Sequence, residues 1–92
     1  MVSIQHDENR SRYQAFVDAQ PAGICQYEAQ GEQVRFTHTL VEPAFEGEGV
    51  GSALARFALE DSRARGKKVV PACGFIRDYI GRHAEFADLL AR

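Results

Sequence analysis

Apolar and polar residues alternate through the first forty-one positions in short runs separated by polar clusters, which predicts β-strands rather than helices. Val2 to His6 reads as a first strand, and Asp7 to Arg10 as a turn. Arg12 to Val17 reads as a second strand, with Tyr13, Ala15 and Val17 on one side. Pro21 is expected to interrupt the ladder, so a third strand is placed at Ala22–Glu28. A turn at Ala29–Glu32 leads to a fourth strand, Val34–Val41. The period then changes. Val50, Ala53, Leu54, Phe57 and Ala58 recur in steps of three and four while Arg56, Glu60 and Arg63 share the other face, so the spacing predicts a helix over Gly49–Arg65. Gly66 stands where a left-handed cap would end it. Lys67–Pro71 reads as a fifth strand, Phe75–Ile80 as the start of a second helix, and Glu85–Leu90 as one or two last helical turns.

Ninety-two residues suffice for one domain, expected over 1–92, and leave no room for a second core. Eleven basic against thirteen acidic residues give a net charge of −2 with the cations scattered, which argues against nucleic acid. Apolar runs are too short to cross a membrane and the first residues do not read as a signal peptide, so a cytoplasmic protein with Cys25 and Cys73 reduced is expected. No metal site is expected, and the chain is read as a monomer or weak homodimer.

The chemistry concentrates after the fourth strand, in Glu46-Gly47-Glu48-Gly49-Val50-Gly51-Ser52. A strand, a glycine-rich turn and a helix in that order aim free backbone N–H groups and the positive end of a helix dipole at an anion. The amides of Glu48, Gly49, Val50, Gly51 and Ser52 are the expected donors, with the Ser52 hydroxyl as a further one. A bare flexible connection is the competing reading. No lysine follows the glycines as in a nucleotide P-loop, and the preceding strand is neither first nor continuously apolar as in a dinucleotide fold.

Glu46-Gly47-Glu48-Gly49-Val50-Gly51 resembles the pyrophosphate loop of the GNAT acetyltransferases. Together with His38-Thr39-Leu40-Val41, Val70-Pro71-Ala72-Cys73-Gly74-Phe75, Tyr79-Ile80 and Arg82-His83-Ala84-Glu85-Phe86, it is similar to the minimal GNAT-like proteins of the YjdJ type. The resemblance implies an α/β (α+β) fold: an antiparallel meander of four strands, a helix, a fifth strand parallel to the fourth and splayed from it, then C-terminal helices. It implies acetyl-coenzyme A as co-substrate and an amine acceptor, a protein or a polyamine. The backbone of Leu40 and Val41 would meet the pantetheine, Gly47 to Ser52 would hold the pyrophosphate, and Cys73 would lie near the thioester. Arg77, Arg82 and His83 are candidates for the phosphates, with a solvated helix face as the alternative. Tyr79 resembles the general acid of many relatives, and His38 or Glu42 could serve as the base. Cys73 could take the acetyl group covalently or be structural; Tyr79 and His38 have packing roles as alternatives. Glu46 stands where relatives carry Arg or Gln, Leu40 where many carry a carboxylate, and Gly74 where proline is common. These departures keep open a non-catalytic acyl-coenzyme A binder, and an interaction domain whose glycine loop is only a turn.

Overall fold

In the computed structural model, which describes residues 1–91, alternation and helical spacing resolve into one five-stranded sheet with two helices on one face. The strands, in spatial order as in sequence, are β1 (Val2–Asp7), β2 (Arg12–Val17), β3 (Gln20–Gln30), β4 (Gln33–Val41) and β5 (Lys68–Pro71). The first four pair antiparallel and β4 pairs with β5 in parallel. A 3₁₀ turn at Pro43–Phe45 precedes helix α1 (Val50–Ala64), and helix α2 (Gly74–Arg82) is followed by a 3₁₀ segment, Ala84–Leu89.

β3 starts earlier than its sequence predicts and includes Pro21. The proline is tolerated beside a bulge opposite Ala15 and Phe16, where a ladder hydrogen bond is lost in any case. The preceding turn is tight, with Asp18 and Ala19 at φ 49° and 68°.

α1 buries Val50, Gly51, Leu54, Ala55, Ala58, Leu59 and Ser62, whereas Phe57 is partly exposed. Removing the Leu54 side chain would cost about 2–5 kcal/mol by the usual range for core leucines. The helix stops at Gly66, φ 69°, where the amides of Gly66 and Lys67 bond back to the carbonyls of Arg63 and Ser62. Its C-terminal end is fixed to the sheet by Asp61, which accepts from the Tyr13 hydroxyl at 2.7 Å and pairs with Arg65 at 3.0 Å. The His6 ring stacks on Tyr13 at 4.2 Å and meets the Tyr27 hydroxyl at 2.6 Å.

Two irregularities of β4 decide where a ligand can go. β4 carries one extra residue, Thr37, opposite Gln26 and Tyr27. This bulge reverses the strand's facing, so that Phe36 packs in the core while His38 is exposed. The pairing with β5 ends at Phe36 and Pro71, where β5 itself ends, and β4 runs on to Val41 without a neighbour on that side. Among the described residues the other sheet face carries no helix, β1 and β2 being joined by a 3₁₀ turn at Glu8–Arg10. No helix among the described residues is long and apolar enough to cross a membrane.

Candidate active site

The gap left beside β4 where β5 ends is edged by backbone that no strand among the described residues pairs. Leu40 is opposite Ile24, and a Cβ on Gly23 would lie 2.7 Å from the Leu40 carbonyl oxygen, so this carbonyl faces β3. The Glu42 amide likewise donates to Ala22 at 2.8 Å. By alternation, the N–H and C=O groups of Thr39 and Val41 face the gap, and among the described residues they have no partner there. Of the two residues expected to offer backbone to a pantetheine arm, Val41 turns its backbone groups to the gap. Leu40 turns its backbone inward and its side chain, 44% accessible, to the open face.

At one end of this edge stands the glycine loop. Gly47 and Gly49 have φ of 83° and 78°, a backbone region that side chains rarely adopt, and a Cβ on either would meet nothing. Gly49 caps α1, and Ala53 is the first residue whose amide bonds within the helix, to the Gly49 carbonyl at 3.0 Å. The amides of Val50, Gly51 and Ser52 are therefore the free donors of a fifteen-residue helix. The Glu48 amide, also expected among the donors, is turned to the Phe45 carbonyl at 3.3 Å. These groups border a hollow of about 210 Å³, walled by Val41, Phe45, Glu46 and Phe75. Gly51 lets the Phe75 ring close over the helix end: a Cβ there would lie 2.7 Å from Cζ. The free amides, the missing side chains and the adjacent strand edge suit an extended ligand with a pyrophosphate at one end. A larger hollow, about 760 Å³ beside Gln33, Lys68 and Ala91, lies at the other end of β5.

Cys73, the residue before α2, is half-buried. Its thiol donates to the Thr39 hydroxyl at 3.3 Å, and that hydroxyl contacts the Cys25 sulfur at 3.7 Å. Burial pushes the Cys25 thiol up to about 12, against a small opposing effect of Thr39, so it stays protonated and inert. Cys73 and Thr39 are thus together at the gap. Thr39 was not among the residues singled out from the sequence, because continuing the alternation from Phe36 turns it outward; only the bulge brings it in.

The remaining candidates separate. His38 is exposed on the open face beside Leu40. Tyr79 is buried, its ring stacked on His83 at 3.9 Å. Its hydroxyl lies by Arg56, a guanidinium held charged first by Glu85 and then by this neighbour. Tyr79 therefore lines a second hollow, with Ser52 and Arg82, and not the hollow beside the gap. Arg77 projects from the other side of α2 into an apolar groove with Pro71, Ile80 and Leu90, and is not brought to the glycine loop.

Comparison with known proteins bears on this arrangement. A family model described as GCN5-related N-acetyl-transferase matches residues 12–89. A protein from Staphylococcus aureus, described as GCN5-like and solved by solution NMR, superposes with a TM-score of 0.74 at 19% identity, covering 97% of this chain and 87% of that one. Ard1 from Thermoplasma volcanium superposes with a TM-score of 0.62 at 23% identity over 78% of this chain, which spans 53% of Ard1. At these identities the two structures speak for the fold alone. No curated protein matches the sequence.

Proposed function

This chain belongs to the GCN5-related N-acetyltransferase family, and from that membership we propose that it transfers the acetyl group of acetyl-coenzyme A to an amine. One observation carries the reading: the unpaired strand edge at Thr39 and Val41 continues into the free amides of Val50, Gly51 and Ser52. A pantetheine arm would complete the β4 edge as a further strand, and the pyrophosphate would lie on the helix end.

In the transfer, the amine nitrogen attacks the thioester carbonyl, the C–N bond forms and the C–S bond breaks. One proton leaves nitrogen and one arrives at sulfur. His38, exposed on the open face, accepts the proton of an acceptor approaching from that side. The Cys73 thiol, hydrogen-bonded to Thr39, donates to the departing thiolate and regains its proton from solvent. The exposure of His38 and Leu40 on the open face supports an acceptor presented from outside, such as a lysine side chain or a polyamine.

The test is release of free coenzyme A from acetyl-coenzyme A in the presence of a lysine peptide or spermidine. Amine-dependent release that falls on Cys73→Ala supports transfer. A second reading, a module that holds the cofactor without turnover, is favoured by the position of the Tyr79 hydroxyl beside Arg56. Coenzyme A binding with no release across the amine panel would decide for it.

A further inference from the structure

On the open face of the sheet one row of polar side chains crosses three strands. Arg12 on β2 is opposite Gln26 on β3, and Gln26 is opposite His38 on β4. Residues opposite one another share a face, and Tyr13, next to Arg12, is in the core, so Arg12 is directed to the same open face as the exposed His38. Two strand spacings, about 10 Å, separate their backbones. The next row along is Gln14, Ile24 and Leu40, with Ile24 half-buried and Leu40 exposed, so an apolar strip borders the polar row. Glu42, also exposed, follows Leu40 in the alternation just beyond the end of β4.

The Nε of Arg12 is shut off from solvent and has no hydrogen-bond partner, the one buried side-chain nitrogen or oxygen so left among the described residues. The carboxylates nearest to it in register are engaged elsewhere. Asp7, directly opposite on β1, accepts from the Arg10 amide at 3.3 Å and lies 3.9 Å from the Arg10 Nε. Glu28, two residues beyond Gln26, pairs with Arg35 at 3.4 Å. A cation partly stripped of water and left without a counterion is costly, and a carboxylate accepting from the outer N–H groups of the guanidinium offsets that cost. The open face thus presents a cation on β2, an imidazole and a carboxylate at β4, and apolar surface beside them. Its complement is an amine whose own molecule carries a carboxylate, with the ammonium toward His38 and Glu42, the methylene stem over Ile24 and Leu40, and the carboxylate at Arg12. A polyamine, cationic along its length, offers Arg12 nothing and is repelled by it.

We propose that Arg12 anchors a carboxylate carried by the acceptor, so that the protein acetylates a lysine-like amine bearing a carboxylate in preference to a polyamine. The inference rests on the transfer reading above and adds no step to it. Its test is the rate of coenzyme A release from acetyl-coenzyme A with three acceptors: Nα-acetyl-lysine, its neutral amide, and spermidine. The first two present the same amine and differ in the carboxylate alone. The unaltered protein is expected to favour Nα-acetyl-lysine over the amide by roughly tenfold in kcat/KM, the scale of one charge-assisted hydrogen bond, and to use spermidine no better than the amide. Arg12→Gln brings the ratio of the first two to about one, and Arg12→Lys restores part of it, since a lysine supplies the charge without the planar fork. Calorimetric titration with coenzyme A, whose proposed seat is away from β2, shows that each variant keeps its fold. Equal use of Nα-acetyl-lysine and its amide by the unaltered protein, a preference that survives Arg12→Gln, or a preference for spermidine overturns the assignment while leaving the transfer reading standing. No release with any of the three overturns the transfer reading, and this inference with it.

Discussion

Gly49 and Gly66 form a matched pair that separates ligand binding from backbone strain. Both are left-handed, at φ 78° and 69°, and both would give an added Cβ open space. Alanine at either position costs about 1–2 kcal/mol for the left-handed backbone alone. At about 4–8 °C per kcal/mol, both variants should melt roughly 4–16 °C below the parent. The ligand distinguishes them. At 100 times its dissociation constant, coenzyme A stabilises the parent by about 2.7 kcal/mol, and Gly66→Ala should retain this in full. In Gly49→Ala the methyl group stands among the amides proposed to hold the pyrophosphate. Losing one charge-assisted hydrogen bond to this crowding weakens binding about thirtyfold. At the same ligand concentration the stabilisation then shrinks to about 0.9 kcal/mol. Thermal unfolding followed by circular dichroism, with and without ligand, reads both quantities. Equal ligand-induced shifts in the two variants would refute the assignment of the loop, and an unstrained Gly49→Ala would refute the backbone argument.

The two thiols should behave differently. In the native protein at pH 8 a disulfide reagent should titrate Cys73 quickly and Cys25 only on unfolding, with coenzyme A slowing the Cys73 reaction; two equally fast thiols would contradict the burial of Cys25. Alkaline pH should destabilise the fold. Burial raises both the Cys25 thiol and the Tyr13 hydroxyl, the latter also through Asp61, so their contribution is complete below the unfolded values of 9.0 and 10.0 and is lost as pH rises above them. For Cys25, the difference between 9.0 and about 12 amounts to about 4 kcal/mol at the alkaline extreme, and urea titrations from pH 8 to 11 should show stability falling, with a gentler slope for Cys25→Ala. Tyr79→Phe should change turnover by less than about threefold, where loss of a general acid costs about 10² or more; a loss on that larger scale would mean its hydroxyl reaches the thioester.

The helical half of the fold and the loop were legible because local physics decides them. Steps of three and four set α1, and Gly66 ends it by a conformation that few other residues adopt. β4 was legible as a strand but not in its facing. Nothing in Phe36-Thr37-His38-Thr39 announces that the strand accommodates Thr37 as an extra residue, which is a property of its pairing with Gln26 and Tyr27. That bulge turns His38 and Leu40 outward and sets Thr39 against Cys73. Pro21 was read as a break because its missing donor disfavours a ladder, yet the neighbouring bulge had already removed the need for one. The packing role offered as an alternative for Tyr79 fits its burial. Where its hydroxyl points depends on Arg56, twenty-three positions earlier in the chain, and on how closely α1 and α2 pack.

The central claim is that acetyl-coenzyme A lies along the β4 edge with its pyrophosphate on the end of α1. Titration of the ¹⁵N-labelled protein with acetyl-coenzyme A, followed through its backbone amide resonances, tests this directly. The account predicts that the amides of Thr39, Val41, Gly47, Gly49, Val50, Gly51 and Ser52 shift most and become protected from exchange, while those of β1 and β2 stay in place. Unmoved resonances throughout, or shifts confined to the distant hollow beside Gln33 and Lys68, would contradict it.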